Sequence, residues 1–117
     1  MKFSFEQDDD IAIFTLKSTS LDATISGDLK SEFLILCQPN LVALVIDLSY
    51  VEFMDSAGIS SLLIAERQMA EHEAPVVIVG ANENIQTTLR ISQLDRIFEI
   101  VPTIDEALQL LRSPAND

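Results

Sequence analysis

The chain has 117 residues, 48% of them apolar, with no tryptophan and one tyrosine, which suits one folded domain with an aliphatic core rather than a disordered chain. Nineteen acidic residues against seven basic ones give a net charge of −12, which argues against nucleic acid and against an anionic membrane surface. A basic protein surface fits that charge as a partner, although acidity alone also keeps a small protein soluble.

Phe3 and Phe5 alternate with polar neighbours and read as a short strand. Asp8-Asp9-Asp10 is a turn, and Ile11, Ile13, Phe14 and Leu16 make a second strand, paired with the first as a hairpin. Residues 22–37 fit a helix with Ile25, Leu29, Phe33 and Leu36 on one side, although Gly27 costs it about 1 kcal/mol against alanine. Gln38-Pro39-Asn40 ends it. Leu41 to Leu48 is apolar on both faces except Asp47, the pattern of a central parallel strand covered on both sides. A second helix runs from about Ser56 to Glu71. Val76 to Val79, opened by Pro75 and closed by Gly80, is another buried strand. A third helix spans about Asn82 to Ser92 with Ile85 and Leu89 inward, and Ile97 to Val101 is the last strand. Thr103 and Glu106 then form a capping-box pair, and Ile104, Ala107, Leu108 and Leu111 give a final amphipathic helix. Residues 1–112 are expected to form one domain, with 113–117 a polar, frayed tail. The order β-β-α-β-α-β-α-β-α predicts an α/β fold: a mixed, mostly parallel sheet of about five strands, right-handed crossovers and four helices.

Several chemistries lack their residues. Cys37 is the only cysteine and lies among aliphatic neighbours, so no internal disulfide forms and the thiol is expected to be buried and inert. His72 is the only histidine, read as solvent-facing near the end of the second helix; no Ser-His-Asp triad is available to Ser56. With three glycines there is no phosphate-binding glycine loop, and no Cys/His cluster has metal spacing. The acidic pair and lysine of a receiver domain are missing at residues 17–20 and 101–103. Catalysis, a cofactor and a metal are therefore not expected. The amino-terminal residues turn acidic at Glu6 and are not expected to act as a signal peptide, and no apolar run approaches the roughly 20 residues of a membrane span. A cytoplasmic location is expected.

Phe53-Met54-Asp55-Ser56-Ala57-Gly58 leads from the central strand into the second helix. Asp55 or Ser56 can accept from the orphan N–H groups at that helix start. An exposed Ser56 is equally open to phosphorylation, whose charge of about −1.5 to −2 the positive end of the helix dipole tolerates but a docked partner does not. In the same helix Leu62, Ala65 and Met69 form the core stripe. Ile59, Leu63 and Ala70 form a second stripe, either covered by neighbouring helices or exposed to a partner.

Leu44-Val45-Ile46-Asp47-Leu48-Ser49-Tyr50-Val51-Glu52-Phe53-Met54-Asp55-Ser56-Ala57-Gly58-Ile59 resembles the strand and the Asp-Ser-x-Gly motif of STAS domains, in particular stand-alone bacterial anti-sigma factor antagonists. Two weaker matches are Thr88 to Phe98 and the Leu21-Asp22 pair. Lys17-Ser18-Thr19-Ser20, Ser60, Ser61 and Gln93 depart from the family pattern. The resemblance implies a STAS fold. It also implies phosphorylation of Ser56 by a GHKL-type anti-sigma factor serine kinase and reversal by a PP2C-type phosphatase. The expected partner surface is Asp22, Asp55, Ser56, Ala57, Gly58, Ile59 and Leu63. The expected function is an anti-sigma factor antagonist that binds the kinase when Ser56 is unphosphorylated. The alternative is a non-switched STAS subunit of a transporter or other signalling complex, with Ser56 only a helix cap.

Overall fold

Two antiparallel strands, β1 (Phe3–Asp8) and β2 (Ile11–Leu16), open the chain. The turn between them places Asp9 at φ 58°, a left-handed conformation that aspartate adopts more readily than most residues. In this computed structural model, which describes residues 1–112, the remaining elements are β3 (Ser20–Leu21), α1 (Ala23–Leu36), β4 (Ala43–Asp47), β5 (Phe53–Met54), α2 (Ser56–Ala70), β6 (Val76–Val79), α3 (Glu83–Ile91), β7 (Glu99–Val101) and α4 (Ile104–Arg112). The main sheet has five strands in the order β1-β2-β4-β6-β7. Every neighbour pair after β1–β2 is parallel.

That strand order advances in one direction. Successive right-handed crossovers therefore put α1, α2 and α3 on the same face of the sheet. Leu29 and Phe33 of α1, Leu62, Ala65 and Met69 of α2, and Ile85 and Leu89 of α3 meet there with Phe14, Leu44, Ile46 and Ile78. Phe14 is wholly buried, 5.0 Å from Phe3 and 5.1 Å from Phe33 between ring centres. Its burial contributes about 1.5–3 kcal/mol, and each ring pair adds about 0.5–1.5 kcal/mol. The other face packs Ile11, Ile13, Val45, Val77 and Val79 against Ala107 of α4, with Ile104, Leu108 and Leu111 around it. This two-sided burial is why β4 and β6 read as unbroken apolar runs.

The structure departs from the sequence reading at several points. β3 and β5 form a separate parallel ribbon that hydrophobic periodicity does not reveal, because two residues carry no period. The last strand starts at Glu99 rather than Ile97; Leu94–Arg96 is a 3-10 turn, with Phe98 buried after it. Gln93, where the family usually has glycine, is left-handed at φ 62°. His72 is not a free surface residue. It is half-buried, and its Nε2 donates to the Leu41 carbonyl at 2.9 Å, tying the end of α2 to the approach to β4. The frayed tail expected at 113–117 lies outside the described residues.

Candidate partner-binding site

The ribbon of β3 and β5 sets the site. Ser20 pairs with Phe53 and Leu21 with Met54, in parallel. Leu21 and Met54 turn inward and are buried. The next residue on each strand is an aspartate, and each aspartate starts a helix. Asp22 caps α1: its Oδ1 accepts from the Thr24 N–H at 2.9 Å and the Thr24 hydroxyl at 2.5 Å. These bonds, the hydroxyl's first, hold the Asp22 carboxyl below its ordinary value, because they favour the charged form. Asp55 caps α2, its Oδ1 accepting from the Gly58 N–H at 3.1 Å. The Asp55 N–H in turn donates to the Leu21 carbonyl at 3.2 Å, stitching one helix start to the other.

Gly58 lies inside this junction. A Cβ there would stand 2.4 Å from the Leu21 carbonyl oxygen and 2.8 Å from the side chains of Leu21 and Met54. The glycine is buried, so its part in the corner is close packing of α2 on the ribbon rather than an exposed contact. One turn on, the buried Ser61 hydroxyl donates to the Gly58 carbonyl at 2.7 Å. Asn82, which the sequence reading assigned only to the start of the third helix, braces the same corner. Its Oδ1 accepts from the Ile85 N–H at 2.8 Å, and its Nδ2 donates to the Glu52 carbonyl at 3.1 Å. One side chain thus caps α3 and holds the strand that delivers Asp55; an asparagine before an apolar helix was the available signal.

Ser56 is the first residue of α2 and is exposed. The choice between Asp55 and Ser56 as cap is settled by Asp55, and the Ser56 hydroxyl bonds to no other group among the described residues. Ala57, Ile59 and Leu63 are half-buried, as are Asp22 and Asp55. Ile59, Leu63 and Ile64 pack partly against the core, where α1 runs alongside α2, so the second stripe is mostly covered. Ala70 is exposed. Phe53, three residues before Ser56 and not singled out by the sequence reading, is 56% exposed. It borders a groove of about 330 Å³ lined by Glu52, Met54, Asn84, Ile85, Thr87 and Thr88. Burial raises the Cys37 thiol to about 11, so at neutral pH it stays protonated and unreactive. No group of three or more His, Cys, Asp or Glu among the described residues is arranged to hold a metal ion. No described helix is long and apolar enough to cross a membrane.

A family model of the STAS domain matches residues 2–107. This chain belongs to the STAS domain family. Solved structures of similar fold include a candidate anti-sigma factor antagonist of Thermotoga maritima, 25% identical, with a TM-score of 0.83 over 94% of each chain. An anti-sigma factor antagonist from Mycobacterium paratuberculosis is 24% identical, with a TM-score of 0.84 over 96% of this chain and 94% of that one. The Bacillus cell fate determinant SpoIIAA, in its phosphorylated form, is 17% identical, with a TM-score of 0.74 over 95% of this chain and all (100%) of that one. The STAS fold anticipated from Asp55-Ser56-Ala57-Gly58 is thus the fold observed.

Proposed function

We propose that this chain is a phospho-switched protein-binding module: an anti-sigma factor antagonist that binds an anti-sigma factor kinase while Ser56 is unphosphorylated and releases it once Ser56 is phosphorylated. The observation that carries the reading is the exposed Ser56 hydroxyl, which bonds to no other described residue while Asp55 performs the capping. A GHKL-type kinase would transfer the γ-phosphoryl group of ATP to Ser56 Oγ, releasing ADP and the hydroxyl proton. A PP2C-type phosphatase would hydrolyse the ester and return the serine.

The physical consequences differ on the two sides of the interface. On the domain side, the phosphoryl group sits at the amino end of α2, where backbone N–H groups and the helix dipole favour negative charge. Asp55 keeps its bond to Gly58, so nothing in the corner must move. On the partner side, a surface docked over Asp22, Asp55, Ser56 and the adjoining Ala57, Ile59 and Leu63 meets a dianion with a new hydration shell. Desolvating it in a closely packed interface is costly. Binding ends and the fold stays.

The test is a pair of variants against a purified GHKL-type anti-sigma kinase. Ser56→Ala is expected to bind it and to resist phosphorylation; Ser56→Asp is expected to stay folded and lose binding. A Ser56→Asp protein that binds the kinase like the unmodified chain contradicts the switch and leaves the non-switched subunit reading.

A further inference from the structure

The two edges of the main sheet are unequal. β7 is a three-residue edge, too short to template another strand. β1 is six residues long, without proline, and no described element pairs with its outer side. Natural proteins usually blunt such an edge with charge. Here the charges are arranged differently.

Lys17 N–H donates to the Lys2 carbonyl at 2.8 Å, and Phe3 stands opposite Leu16. In an antiparallel ladder this turns the backbone groups of Lys2, Ser4 and Glu6 towards β2, and those of Phe3, Phe5 and Gln7 towards the open side. Any strand added there must bond to the odd-numbered residues. Read outward from Ser4, the segment is symmetric in character and opposite in charge: Phe3 and Phe5, then Lys2 and Glu6. Lys2 and Glu6 are exposed, Phe3, Ser4 and Phe5 half-buried.

We propose that β1 is a dimerisation edge whose occupant is a second copy of this chain, paired antiparallel about a two-fold axis through Ser4. In this register Phe3 and Phe5 of the two copies exchange backbone hydrogen bonds, satisfying the outward-pointing groups. Each Lys2 faces the other copy's Glu6 on one side of the sheet, and each Phe3 faces the other Phe5 on the opposite side. Opposite charges and aromatic rings directly across an antiparallel pair are both favourable. The contact is self-complementary, as a two-fold interface requires. Exposed aliphatic surface lies along the same edge. Ile35 is 63% exposed and, with Phe5, Gln7 and Leu36, lines a groove of about 110 Å³. Asp8, the acid nearest the end of the strand, is already paired with Arg112 at 2.8 Å. The two-fold axis stands perpendicular to the sheet and rotates the second copy by half a turn within its plane, so the two Ser56 corners lie at opposite ends of the paired sheet.

Two chains of −12 repel one another at low ionic strength, so the measurement belongs at about 0.15 M salt, where the Debye length is ~8 Å. By sedimentation velocity the full chain is expected to be a dimer. Lys2→Glu, which sets two acids opposite each other twice, is expected to raise the dissociation constant at least about tenfold. The charge-swapped double variant Lys2→Glu with Glu6→Lys is expected to restore it, and that rescue also shows that neither change harms the fold. Ser4→Cys is expected to give a disulfide-linked dimer on mild oxidation, with the buried Cys37 taking no part. A monomer at every concentration overturns the proposal. So does a dimer indifferent to Lys2→Glu, or a Ser4→Cys protein that fails to cross-link.

Discussion

Helices α2 and α4 each have a hydroxyl residue at their amino end, and the two hydroxyls have different duties. At α4 the Thr103 hydroxyl is the cap, accepting from the Glu106 N–H at 3.1 Å. At α2 the cap is Asp55, and Ser56 stands one residue further in, exposed and without a bond to another described residue. A hydroxyl that accepts from the backbone is committed to the fold; one displaced from that position by a neighbouring carboxylate is free for chemistry. Residue type near a helix start therefore says little by itself, and the bonding partner decides.

The comparison can be broken most severely at Gly58. Gly58→Ala places a Cβ 2.4 Å from a backbone oxygen that the β3–β5 ribbon holds in place, and a stability loss of about 3 kcal/mol is expected in urea denaturation. Next come the caps. Asp55→Ala and Thr103→Ala are each expected to cost about 1 kcal/mol, while Ser56→Ala is expected to stay within about 0.5 kcal/mol of the unmodified protein. A Ser56→Ala loss equal to that of Thr103→Ala would mean both hydroxyls are structural. Gln93→Gly relieves a left-handed backbone at φ 62° and is expected to stabilise by about 0.5 kcal/mol, part of the relief being offset by glycine's greater freedom when unfolded. The smallest effect concerns Asp22. Its carboxyl is lowered by the Thr24 hydroxyl and N–H, so the stabilisation is present above the ordinary aspartate range and is lost as pH falls through the lowered value. In acid titration monitored by circular dichroism, the advantage of the unmodified chain over Asp22→Asn is expected to shrink over that interval.

The large features were legible because burial imposes a period. β4 and β6 are apolar on both faces since helices cover both, and the stripe Ile104, Ala107, Leu108, Leu111 returns as the contact face of α4. The α2 stripe of Leu62, Ala65 and Met69 is wholly buried, as its spacing requires. What was not legible depended on contacts between distant segments. The β3–β5 ribbon is too short for a pattern, yet it brings Asp22 beside the start of α2. Gly58 reads as a motif residue, and only the approach of the Leu21 carbonyl shows why no side chain fits. His72 reads as a surface residue until Leu41, thirty-one positions away, supplies its carbonyl. Asp55 and Ser56 are equally able to cap on paper; backbone direction at the end of β5 selects the aspartate.

The most direct test is made on phosphorylated protein rather than on a mimic. The chain, phosphorylated at Ser56 and purified, is compared with its unmodified form in one titration against the kinase, with a thermal melt of each sample. Loss of binding with an unchanged melting temperature is the expected result. Retained binding, or loss of binding that comes only with unfolding, would contradict a switch built on a hydroxyl the fold does not use.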